Sequence, residues 1–196
     1  LIYGFTSKGN NYGIYNSSSN YTSYYHNTIS IDNSNATSNE SRGFIQTIAS
    51  QGIEILNNNI SINRGGDGRT HGIFLNTTAS TINCDFNNVY INPVNDSNSF
   101  IGYYSSDVKK LSEWQTVNGG AFGQNSKSIY SAFLGSNSLI PTNQALKNAG
   151  TNLSVLDDYF NSLRDTIPDI GAIEFDTVSC LFPDSLNVYD FGVSSA

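Results

Sequence analysis

Hydrophobic positions in this chain alternate in short runs, and the runs recur. HNTISID (26–32), NNNISIN (57–63) and FNNVYIN (86–92) each place apolar residues at every second position, the period of an extended strand with one buried face. Ile29, Ile60 and Val89 form one inward column and Ile31, Ile62 and Ile91 a second, while Ser30, Ser61 and Tyr90 face out. A second motif, GIY, GFI, GIF and GYY, is led by Gly13, Gly43, Gly72 and Gly102 and keeps step with the first. Both anchors share a period of about thirty residues, the mark of an architecture whose units bury their apolar faces by stacking.

Counting back from Asn58 and Asn87, Ile53, Ile55 and Asn57 align with Ile82, Cys84 and Phe86 as inward positions. Glu54, Leu56, Asn83 and Asp85 align on the opposite side. The strand after each anchor glycine carries two apolar columns, Ile14–Phe44–Ile73–Tyr103 and Tyr15–Ile45–Phe74–Tyr104, so its parity stays open. Asn27, Asn58 and Asn87 fall between strands, where the chain must bend. Asparagine tolerates left-handed backbone geometry and its amide can bond neighbouring backbone, so this column is expected to be a structural ladder.

Three short parallel strands per turn, with no helical stretch inside a repeat, predict an all-β chain: a right-handed parallel β-helix of three to four rungs over residues 1–106. The hand follows from the right-handed crossover rule. Past Tyr104 the period stops, and residues 107–175 are expected to cap the open solenoid end, which would otherwise expose unpaired backbone and apolar core. Residues 107–118 read as a short amphipathic helix or a lid around Trp114.

Composition narrows the setting. Charged residues make up 13% of 196 residues, about half of the roughly 25% usual for soluble domains. Asn, Ser, Thr, Gly and Tyr take their place, a surface of extracellular type. A net charge of −7 without a basic run argues against nucleic acid and anionic membranes as partners, and no apolar run is long enough to span a bilayer. No Met occurs, position 1 included, so the chain is read as an internal piece of a longer protein. Cys84 and Cys180 lie far apart and imply no disulfide framework; Cys84 is expected in the core, unbonded to Cys180.

Candidate chemistry is sparse. The aligned columns Asp32–Asn63–Asn92 and Ser23–Glu54–Asn83 stack no two acids, so a converging carboxylate cage for calcium is not expected, nor any other metal or cofactor. Glu54 and Asp85 share an outward sheet face at a backbone separation of about 8 Å, within the carboxyl range of inverting glycosidases, against the simpler reading of two acids on a solvated face. Arg42 and His71 each precede an anchor glycine and share a column with Tyr12 below and Ile101 above. That column would suit an anionic sugar, against the simpler reading of residues that cap a loop. Tyr15 and Tyr104, if outward, would offer rings for sugar stacking.

From Trp114 to Phe175 the chain resembles the C-terminal end of exported, Bacteroidetes-like right-handed parallel β-helix proteins. The resemblance rests on Trp114, Asn125-Ser126, Leu139-Ile140-Pro141, Asn148-Ala149-Gly150, Asp158, Arg164 and the run PDIGAIEF (168–175). It implies structural roles for Arg164, Asp169, Gly171 and Glu174, with Arg164 paired to Glu174 or Asp169. Residues 176–196 are similar to a linker and the first strand of a fibronectin type III or immunoglobulin-like module, through Cys180, Pro183, Leu186 and Val188. Together the resemblances imply an adhesin-like, modular, exported protein whose partners are a polysaccharide or surface glycan and its own adjacent modules. They bring no catalytic motif, and a polysaccharide lyase or glycoside hydrolase is the alternative.

Overall fold

The computed structural model describes residues 1–93 and 96–176; the Cys180 module expected at the C-terminal end lies outside them. In chain order the strands are β1 (Asn11–Asn16), β2 (Ser23–Tyr25), β3 (Thr28–Asn33), β4 (Ser41–Gln46), β5 (Ile53–Leu56), β6 (Asn59–Arg64), β7 (Thr70–Leu75), β8 (Ile82–Asp85), β9 (Asn88–Pro93), β10 (Ser99–Tyr104) and β11 (Asp107–Val108). They stack as three sheets, β1–β4–β7–β10–β11, β2–β5–β8 and β3–β6–β9, parallel throughout apart from the antiparallel β11 at one edge. The chain is a parallel β-helix of about three turns. No helix among the described residues is long and apolar enough to cross a membrane.

Alternation dictates the core. Ile29 lies against Ile60 and Ile60 against Val89, while Ile31, Ile62 and Ile91 form the neighbouring column. Ile53 stacks under Ile82 and Ile55 under Cys84, with Phe44, Ile73 and Leu75 closing the third side. The ambiguous strand resolves at its glycine. A Cβ on Gly43 or Gly72 would collide with Ile60 or Val89, so the glycine itself turns inward and the next residue, Phe44 or Ile73, also reaches the core. Tyr15, Ile45 and Phe74 therefore share the outer face.

The fourth turn departs from the expected register. Phe100, not Ile101, pairs with His71, and Gly102 pairs with Ile73. A Cβ on Gly102 would strike the indole of Trp114, so Trp114 fills the core place that Phe44 and Ile73 occupy below. The same slip sets Tyr103 on the outer face beside Phe74 and turns Tyr104 toward the cap.

At the bends, the left-handed residues are His26, Asn57 and Phe86, with φ of 53°, 58° and 54°, one position before the asparagines expected there. That reverses the parity expected for Asn57 and Phe86: the Asn57 side chain leaves the solenoid and bonds residue 151 of the cap. Asn27, Asn58 and Asn87 form the ladder. Asn58 Oδ1 accepts from the Asn27 backbone N–H at 3.0 Å, and Asn87 Oδ1 accepts from that of Asn58 at 2.9 Å.

The cap does two jobs. Residues 107–127 close the solenoid end, where β11 and a single helical turn, α1 (Leu111–Trp114), replace the longer helix expected at 107–118. Phe122 stacks on Trp114 at 5.3 Å and continues the Cys84 column, and Ser126 Oγ accepts from the Asn87 N–H at 3.0 Å, standing where the next asparagine would. The remaining cap runs back along the outside of β9, β6 and β3, a course that the repeat pattern does not predict. Asn88 bonds Ile129, Ser131 Oγ donates to Asn59 Oδ1 at 2.8 Å, and the Ala172 N–H donates to Thr28 Oγ1 at 2.9 Å. A hairpin, β12 (Phe133–Gly135) and β13 (Ser138–Pro141), projects from this strap.

Candidate functional site

Glu54 and Asp85 stand on neighbouring strands of the second sheet, Glu54 opposite Asn83 and Asp85 opposite Leu56. Each carboxylate already has partners. Glu54 accepts from the Tyr25 hydroxyl and from Ser23 Oγ at 3.2 Å. Asp85 accepts from the Asn125 N–H at 2.7 Å, the Asn125 amide at 2.8 Å and the Phe86 N–H at 2.8 Å. Asp85 thus fastens the cap to the third turn, and both carboxylates are engaged in these contacts.

The outer face of β1–β4–β7–β10 is built differently. Its two outward columns read Tyr12–Arg42–His71–Phe100 and Tyr15–Ile45–Phe74–Tyr103. The Arg42 guanidinium lies 3.6 Å from the Phe74 ring centre and its Nη2 is 2.7 Å from Glu40. Phe74 and Tyr103 stack at 4.5 Å, and His71 stacks on Phe100 at 5.1 Å. Parallel strands about 4.8 Å apart bring like rings into van der Waals contact, so one aromatic per repeat is enough to make a continuous ladder.

His71 is buried within this ladder, and its Nε2 is 2.9 Å from Asp107, which also pairs with Arg69. Burial pulls the imidazole pKa below its ordinary value, and the Asp107 contact opposes that shift only in part. His71 therefore organises β7, β10 and β11 from inside, and Arg42 keeps only 12% of its side chain exposed. Tyr15 is 55% exposed and packs at 5.8 Å against half-buried Tyr12. Tyr104 points elsewhere: its hydroxyl donates to Asn118 at 3.0 Å and its ring meets Phe122 edge-on. Of the residues read from the sequence, this face gathers Arg42, His71 and Tyr15. Tyr12 stands below Arg42 as the repeat places it, and the face adds Phe100, Tyr103 and Asp107, which a single strand's pattern could not reveal because the slip that exposes Tyr103 depends on Trp114.

The residues of the C-terminal run hold the strap. Arg164 Nη1 donates to Glu174 at 2.6 Å, and the Asp169 N–H donates to the same carboxylate at 3.1 Å. Asp169 in turn accepts from the Phe175 N–H at 2.7 Å. Gly171, at φ 116°, donates its N–H to Asn57 O at 2.8 Å. Burial raises the pKa of both Asp169 and Glu174. Cys84 is buried in the core, its thiol pushed up to about 12 by desolvation. Among the described residues no cluster of His, Cys, Asp and Glu could hold a metal ion. No protein family, curated protein or solved structure matches the chain; what it can be called is a capped β-solenoid.

Proposed function

We propose that this chain is a non-catalytic, glycan-contacting segment of an exported, modular bacterial surface protein. The observation that carries the reading is the aromatic and guanidinium ladder on the first sheet. There Tyr12 and Tyr15 offer ring faces and Arg42 and Glu40 a flanking ion pair, while the strap occupies the third sheet. Sugar rings present C–H faces that pack on aromatic rings, and the rigid solenoid fixes those rings in advance, lowering the ordering cost of binding. A surface poor in charge and rich in Asn, Ser and Thr, together with the resemblance of the 114–175 segment to exported β-helix proteins, supports placement outside the cell.

Retention of the protein on a panel of acidic and neutral polysaccharides tests the reading, with new reducing ends and unsaturated uronides followed in the same incubations. Tyr15→Ala is expected to weaken retention about tenfold, the value of one aromatic contact, without changing the melting temperature, because Tyr15 is largely exposed. Cleavage that disappears in Glu54→Gln or Asp85→Asn would replace this reading with a glycosidase or lyase.

A further inference from the structure

A second concave surface lies on the opposite side of the solenoid, away from the aromatic ladder. The β12–β13 hairpin stands off the outer face of β3 and β6 and encloses a groove of about 270 Å³. Its floor is set by the repeat. Ser30 and Ser61 occupy the outward positions between the core isoleucines, and their small side chains leave room that Tyr90 fills on the third turn. Tyr90 meets Tyr130 at 5.2 Å, closing that end.

One wall is the edge of the same sheet. Asn63 Nδ2 donates to Asp32 Oδ1 at 3.1 Å, and Asn92 Nδ2 donates to Asn63 Oδ1 at 3.4 Å, a row carrying both donors and acceptors at solvent level. The other wall is the hairpin, with Phe133 half-buried over fully buried Leu139 and Tyr130 56% exposed at the mouth. The hairpin slips register between Phe133 and Gly135, and a side chain at Gly135 would meet only open space.

We propose that this groove is a binding site for a neutral saccharide unit. Hydroxyls on the floor, a carboxylate and amides along one wall and aromatic rings along the other match a ligand that carries hydroxyls around its edge and C–H bonds on its face. The lining holds no Lys, Arg or His and one carboxylate, Asp32, so a uronate or sulfated sugar would meet repulsion with no cation to offset it. The volume fits one or two sugar rings and excludes a folded peptide. The site is independent of the aromatic ladder, since it lies on another sheet and draws on the hairpin.

The test is NMR titration of the full chain with neutral disaccharides (cellobiose, maltose and lactose) and with galacturonate. Shift changes at Asn63, Ser61 and Tyr130 are expected with at least one neutral sugar, and binding of galacturonate is expected to be at least tenfold weaker. Tyr130→Ala and Asp32→Asn, both at exposed positions that leave the core intact, are each expected to weaken the neutral sugar about tenfold. Tyr15→Ala should leave these shifts unchanged, which separates this site from the ladder. Absence of shifts at the groove with every neutral sugar, or galacturonate binding as tightly as they do, overturns the proposal.

Discussion

At the scale of single residues, the most telling choices are polar groups in dry places. His26 is buried at the first bend, its Nδ1 3.2 Å from Gly171 O and its Nε2 3.1 Å from the Asn57 amide, with the strap closing over it. Desolvation, and after it the nearby Arg164, lowers its pKa from 6.5 to about 4. The folded chain therefore binds fewer protons than the unfolded chain between those values, and its stability falls as pH drops through that window. The full effect is about 3 kcal/mol, since each tenfold change in proton affinity is worth ~1.4 kcal/mol. Asp169 and Glu174, with raised pKa values, act in the opposite sense, favouring the fold below their unfolded values and losing that contribution as pH rises. Thermal melts at pH 7 and pH 4.5 should show a loss that His26→Asn reduces; an equal loss in the variant would exclude His26 as its cause.

At the scale of the element, the repeat works because three kinds of residue keep register across turns. Isoleucines fill, asparagines tie backbone to backbone, and glycines admit the neighbouring column. Gly43→Ala forces a methyl group into Ile60 and is expected to cost about 1–3 kcal/mol, as overpacking does. Combining it with Ile60→Ala should cost clearly less than the sum of the two single changes. Additive costs in a double-mutant cycle by denaturant titration would mean that the close Gly72 carbonyl, rather than Ile60, sets the need for glycine.

The isoleucine columns and the period of the turns are legible in the sequence at this scale, since a period of two within a period near thirty leaves few alternatives, whereas the bend lies one residue earlier than the asparagines suggest and takes Asn57 and Phe86 out of the inward column. The outward positions are harder to read. Whether Ser30 or Asn59 meets water or another segment depends on where residues 128–172 travel, and nothing local encodes that path. The fourth turn sits one residue off the expected register because the glycine that marks it serves Trp114 rather than the column beneath.

At the scale of the whole molecule, the strap joins the last described residues to the first turns. Its integrity rests on the partly buried Arg164–Glu174 pair, whose side chains are 5% and 11% exposed. Removing one partner strands the other, at a cost of ~3 kcal/mol or more. Arg164→Ala should therefore lower the melting temperature and speed amide exchange at Gly150, Gly171 and Ala172, while Ile60 and Ile62 in the central turn stay protected. Uniform loss of protection across all turns would mean that strap and solenoid unfold as one unit.

The backward course of the strap also bears on how the protein is made. A chain synthesised from its N-terminus offers the early turns first, yet Thr28, Asn57 and Asn59 complete their hydrogen bonds with residues 131–172. While those residues are still being polymerised, the nascent turns present a row of amides and hydroxyls that only water can satisfy, flanked by open strand edges able to pair with a neighbouring chain. The strap is thus made after the turns it covers, and translation halted before residue 172 is expected to leave a solenoid with a side open to aggregation.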